Sequence, residues 1–346
     1  MRPDFEPRFL PLTLGSLPHT DAEAAWSSIF RFSPRLPAWP QLPKRTFKEN
    51  MYVQYSEGFP GVVIDEENER LWVDRSQDLS AGLECLYAAY LENDLEFAAI
   101  SPGYAAGLAA LPHLCNDQQF LAIKGQVTGP VSWGLFVTDQ DRRPVLYDDI
   151  LADAIAKHLR LKAAWQEREL KKVNGRTIIF IDEPYMSAFG SAYVSVGREQ
   201  VLSLWQEVLS GVEGLKGMHC CGNTDWSILL ATAVNILSFD AYRYAETLSL
   251  YADEVKAFLG RGGMIAWGIV PADDEAALAA ETDDSLIQKL HEAMGLLVRK
   301  GVPFDDLLAA CLISPSCGMR TLSVPASDRA LELMASVSNK MRERYL

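Results

Sequence analysis

Short apolar runs rich in β-branched residues recur along the chain, each ending in Gly, Pro, Asp or Ser and most of them followed by a helical pattern. They fall at 10–16 (LPLTLGS), 95–102 (LEFAAISP), 120–130 (FLAIKGQVTGP), 177–184 (TIIFIDEP), 215–222 (LKGMHCCG), 234–242 (VNILSFDAY), 264–271 (MIAWGIVP) and 310–318 (ACLISPSCG). Amphipathic helical patterns lie between them at 81–93, 148–173, 198–212, 250–261 and 284–300, and a last one at 327–345 closes the chain. Continuously apolar strands alternating with helices predict a parallel sheet buried on both faces. Eight such units predict an α/β fold, a single (β/α)8 TIM barrel, better than an open doubly wound sheet. The first connection, 17–94, is too long for a simple β/α loop. It contains GVVIDEENERLWV, whose alternation around an acidic turn predicts a hairpin inserted between strands one and two. The whole of 1–346 reads as one catalytic domain.

Composition narrows the class of partner. A chain of 346 residues can bury a full core without disulfide or metal staples. Its net charge of −14 argues against nucleic acid or an anionic membrane surface as the main partner. No stretch approaches the ~18 apolar residues of a membrane span. The first residues, MRPDFEPRFLPLTLGS, place acids and prolines where a signal peptide needs an apolar run, so the expected location is cytoplasmic. Six cysteines are too sparse for a disulfide framework, which leaves core, catalytic or metal-binding roles.

In a barrel of this kind chemistry sits where strands end. Ser16, Gln126, Asp182, His219, Cys221, Asp240 and Cys317 all fall at or near such ends. On a strand alternate residues share a face, so His219 and Cys221 point together while Cys220 points away. An imidazole and a thiolate on one face suit zinc, which accepts both nitrogen and sulfur. Cys317 is a candidate third ligand and Asp240 a candidate fourth, although an Asp at a strand end also serves as a cap. A second H-x-C, at His113 and Cys115, has no evident partner and reads as structural, while Cys85, Cys220 and Cys311 read as small buried hydrophobes. Of Asp182 and Glu183, adjacent on one strand, one faces the barrel mouth and the other outward. A helix N-terminal acid is the alternative role for such a residue. No Ser-His-Asp or Cys-His pairing stands out.

Taken in order, TLGSLP at 13–18, VTGP at 127–130, IDEP at 181–184, HCC at 219–221 and SPSCGM at 314–319 resemble the cobalamin-independent methionine synthase superfamily, specifically its C-terminal catalytic barrel. The resemblance implies zinc held by His219, Cys221, Cys317 and an acid after the sixth strand, here Asp240 where the family usually has Glu. It implies that Ser16 holds the carboxylate of homocysteine and Asp182 its ammonium. The family's glutamate between the first two strands has no counterpart in KRTFKENM, where Glu49 lies nearby. A single barrel is similar to the short "core" methionine synthases, which take their methyl group from methylcobalamin or a methylated corrinoid protein rather than from methyltetrahydrofolate. It is also related to uroporphyrinogen decarboxylase-like corrinoid methyltransferases, so methyl transfer to another thiol of the coenzyme M type, or a non-enzymatic corrinoid or tetrapyrrole carrier, are the alternatives. Trp72 in the hairpin would then offer a flat surface to the corrin ring, unless it is simply packed.

Overall fold

The computed structural model describes residues 5–115, 119–192 and 194–346. Among these, the strands are β1 (Val62–Asp65), β2 (Arg70–Val73), β3 (Ile123–Thr128), β4 (Thr138–Asp139), β5 (Thr177–Asp182), β6 (Leu215–Cys220), β7 (Ile236–Phe239), β8 (Met264–Val270) and β9 (Cys311–Pro315). Strands β3, β5, β6, β7, β8 and β9 form one six-stranded sheet in that order, with every neighbouring pair parallel. Helices join them, so the fold is α/β. Six of the eight expected runs are thus strands of one sheet.

Alternation along these strands separates two cores. Ile178 and Phe180 of β5, Ile236, Met264 and Leu312 pack on one face with Leu10, Leu12 and Leu14. Ile179, Ile181, Leu237, Phe239, Ile265 and Trp267 belong to a second, larger core on the other face. Both faces are buried, as the unbroken apolar runs require. Phe180 is fully buried, and burial of such a ring is worth about 2 kcal/mol. The long helix Asp149–Lys171 starts where Asp148 accepts hydrogen bonds from the Ile150 and Leu151 amides. Its Gln166 accepts from the Gln126 amide at 2.8 Å and donates to the Gln126 carbonyl at 2.9 Å, fastening the helix to β3.

The other two runs differ from expectation. Residues 10–16 are extended along the free edge of β9: Leu12 N donates to Ile313 O at 2.8 Å, and Ile313 N donates to Leu10 O at 3.0 Å. The pairing is a parallel bridge between Pro11 and Ile313. The expected strand at 95–102 is absent. Asp94 accepts from the Glu96 amide and folds that stretch into the short 3-10 turn Glu96–Ala98. Instead, a proline-rich stretch at 37–41 (PAWPQ) runs beside β3, with Trp39 N donating to Lys124 O at 3.1 Å and Lys124 N to Pro37 O at 2.8 Å. Ser16 in turn bridges Gln41.

The hairpin formed by β1 and β2 is antiparallel as the acidic turn implied. It follows the 37–41 stretch and pairs through β2 with β4, making a three-stranded sheet. Trp72 is half-buried, and the Arg70 guanidinium lies 5.3 Å from its ring centre, so the indole is partly covered. Among the described residues no helix is long and apolar enough to cross a membrane.

Candidate metal centre

Register carries the site. Thr128 pairs with Asp182, Asp182 with His219, and His219 with Ser238, so one lateral row crosses β3, β5, β6 and β7 near their carboxyl ends. On β6, Met218 and Cys220 belong to the large core, which turns His219 to the Phe180 face. Cys221 follows in the same phase, and the turn after β9 brings Cys317 to it. The ligand atoms of His219, Cys221 and Cys317 all lie within 4.8 Å of one another. Cys220 is fully buried away from them, and burial pushes its thiol up to about 12.

These three side chains suit a borderline metal ion. His219 Nδ1 lies 3.0 Å from Ser238 Oγ, which fixes the ring, while Nε2 is buried and has no hydrogen-bond partner. An orphaned buried ring nitrogen facing two thiols is what a zinc ligand with a supporting hydroxyl looks like before the ion is added. The Cys317 thiol is held well above the usual range, first by its hydrogen bond with Cys221 and then by burial.

Asp240 lies outside this group. It is buried, and both its oxygens are taken: Oδ1 accepts from the Arg243 amide at 3.0 Å, and Oδ2 from the Arg243 guanidinium at 3.1 Å. Its role here is the N-cap of helix Ala241–Leu248. The sequence expectation of a fourth ligand at Asp240 is thereby corrected.

Asp182 faces the same interior as His219. Its Oδ1 is buried and has no partner. Burial raises its carboxyl above the usual range, while Lys124 and His219 pull it down. Lys124 is wholly buried one layer deeper, donating to the Leu14 carbonyl and to Gln126 Oε1, each at 3.0 Å, over the Phe180 ring. Burial lowers its ammonium to about 8. Ser16 closes the other side: Oγ donates to Gln41 Oε1 at 3.2 Å, and its carbonyl accepts from Met319 N at 2.9 Å, next to the Cys317 turn. Gly15 has φ +124, and a Cβ there would meet the Gln126 side chain at 2.7 Å, so that corner needs glycine.

Glu183 points the opposite way, as alternation required. Its carboxylate accepts from the Val131 and Ser132 amides and from Trp205 Nε1, at 3.1, 2.7 and 2.6 Å. Burial pushes it up to about 7 against the pull of those donors. The glycine of VTGP is explained by the same contact, since a Cβ on Gly129 would lie 2.1 Å from the Glu183 carboxyl carbon. Glu49 is likewise a buried anchor, accepting from the Leu42 amide and from Arg45. His113 is exposed at a helix end and Cys115 buried, in keeping with a structural H-x-C. Cys85, expected to be buried, is exposed.

Two contributors had no part in the sequence reading. Lys124, a lysine amid the apolar run FLAIKGQV, was a readable signal of a buried charge. Ser238 was not, because nothing in ILSF distinguishes a ring-holding hydroxyl from a small core residue.

No family model and no curated protein sequence matches the chain. Solved structures do. A methyltransferase from Methanosarcina mazei is 13% identical with a TM-score of 0.51, covering 94% of this chain and 84% of that one. A B12-independent methionine synthase from Shewanella sp. W3-18-1, in complex with selenomethionine, is 19% identical with a TM-score of 0.47, covering 64% of this chain and 63% of that one. The likeness is one of fold. The present chain therefore spans less than two thirds of the length of the methionine synthase it matches.

Proposed function

We propose that the protein is a zinc-dependent thiol methyltransferase that makes methionine from homocysteine, with methylcobalamin or a methylated corrinoid protein as donor. The observation that carries this is the convergence of His219, Cys221 and Cys317 beside the unpartnered Asp182 oxygen. We further propose that 10–16 and 37–41 serve as degenerate first and second strands of a closed (β/α)8 barrel. The bridges Pro11 to Ile313, Ser16 to Gln41 and Ala38 to Lys124 support that ring. The chain would then be one domain, and its free cysteines suit a reducing compartment such as the cytoplasm.

His219, Cys221 and Cys317 would hold the zinc. When bound, zinc supplies the Lewis acidity that keeps a substrate thiol in its nucleophilic thiolate form at neutral pH. Ser238 fixes the His219 ring so that Nε2 stays aimed at the cysteines. Asp182 offers a buried anion to the substrate ammonium, and the Ser16 hydroxyl, beside the Cys317 turn, would swing its single O–H from Gln41 Oε1 to the substrate carboxylate. Lys124 beneath Asp182 stabilises the ionised carboxylate. Holding the thiol at one end and the ammonium at the other aligns the sulfur with an incoming methyl group, and such alignment is a large part of the rate. No protein nucleophile is needed.

The carboxylate also chooses between substrates. A thiol bearing an ammonium satisfies Asp182, whereas a coenzyme M-type thiol bearing only an anionic group leaves it unpaired. A carrier protein would have no use for two thiols and an imidazole converging at the ligand site. Incubating zinc-loaded protein with homocysteine and either methylcobalamin or methyltetrahydrofolate, and measuring methionine, tests the proposal. Methionine from the corrinoid arm supports it, and none from either arm refutes it.

A further inference from the structure

The level of Asp240 in the sheet makes its exclusion from the ligand group informative. Cys220 pairs with Phe239, so Cys221 and Asp240 follow side by side at the ends of β6 and β7. A carboxylate there starts next to a ligand thiol, yet it is turned away by Arg243. That guanidinium donates to Asp240 at 3.1 Å and simultaneously grips both oxygens of Asp273, beyond β8, at 3.0 and 2.8 Å. A fork bound on three oxygens is geometrically well defined. The Arg243 backbone amide occupies the remaining Asp240 oxygen.

We propose that the Arg243–Asp273 clamp withholds Asp240 from the metal, leaving three protein ligands and an open coordination position for the substrate thiol. The inference rests on the metal-centre reading above. Structural zinc sites are closed by four protein ligands, while catalytic ones keep a position open. Here a residue that could close the site is tied down by Arg243, which Asp273 holds in turn. Arg243 and Asp273 are therefore positioning residues, acting through Asp240.

Cobalt(II) reports the ligand set through its visible spectrum without any need for turnover. Wild type and Asp240→Asn should bind cobalt with affinities within about twofold and give the same spectrum, and homocysteine should shift both equally. Asparagine preserves the helix cap, so this variant keeps its fold. Arg243→Met should free Asp240 Oδ2 while the backbone cap on Oδ1 stays, alter the spectrum before any thiol is added and reduce the homocysteine-induced change several-fold. The double variant Arg243→Met/Asp240→Asn should regain the wild-type response. A tenfold loss of cobalt affinity in Asp240→Asn, or a changed thiol-free spectrum, would make Asp240 a ligand and overturn the proposal. An Arg243→Met spectrum identical to wild type would overturn the clamp. A wild-type protein that takes up no cobalt defeats the metal-centre reading itself, and the clamp falls with it.

Discussion

Cys220 and Cys221 are neighbours in sequence with opposite fates. Cys221 shares the His219 face and meets Cys317, whereas Cys220 is packed in the large core. Cys220→Ser should leave zinc content nearly intact, while Cys221→Ser should remove most of it. Metal analysis of the two purified variants checks this, and equal losses would contradict it. Glu183 gives a stability test at the same scale. Replacing it with Ala strands three buried N–H donors, each costing about 1–3 kcal/mol when unsatisfied. Glu183→Ala should therefore lower the urea unfolding free energy by about 3 kcal/mol or more, with Glu183→Gln clearly milder. The His219–Cys221 pair and the split between Asp182 and Glu183 were legible because strand alternation is strict. Asp240 misled because a strand-end Asp can ligate or cap with the same spelling, and only the partner, Arg243, decides between them.

Strands β3 and β5 to β9 announce themselves through continuous apolar runs, and the long helices through their periodicity. The 37–41 stretch does not, because its two prolines remove the amides that a strand would donate and leave only alternate groups to pair with Lys124. The 95–102 run has the right composition but is folded into a turn by Asp94. Both are cases of local chemistry overriding hydrophobic pattern. Helix Asp149–Lys171 carries a pH-sensitive group: His158 is wholly buried, 2.9 Å from the Tyr55 carbonyl, and burial followed by repulsion from Lys162 lowers it to about 3. The unfolded chain takes up that proton near pH 6.5 and the folded one only near pH 3, so the unfolded state gains protons first as pH falls. Stability should drop by about 2 kcal/mol between pH 6.5 and 5 from this group alone. His158→Gln should flatten the slope in urea titrations at the two pH values, and an unchanged slope would contradict the assignment.

Across the whole molecule, the −14 charge bears on the methyl donor. A strongly acidic chain is a poor host for an anionic folate polyglutamate tail. A corrinoid presents its methyl group on an exposed axial face, which an open mouth can meet without enclosing it. Methylcobalamin should therefore support methionine formation, and methyltetrahydrofolate alone should not. Comparable rates with the folate would contradict this. The α/β class was readable from the order of elements, but the gathering of residues 219, 221 and 317 depends on how far β9 lies from β6 around the sheet. The strand-end position of Cys317 and the order of motifs both hinted at that.

Activity is expected to depend on one zinc ion held by these three side chains. The most direct measurement is zinc stoichiometry by competition with a chromophoric chelator, wild type beside Cys317→Ala. About one zinc per wild-type chain is expected, with binding and methyl transfer both lost in the variant. A wild type that binds no zinc, with activity unaffected by chelation, would contradict it.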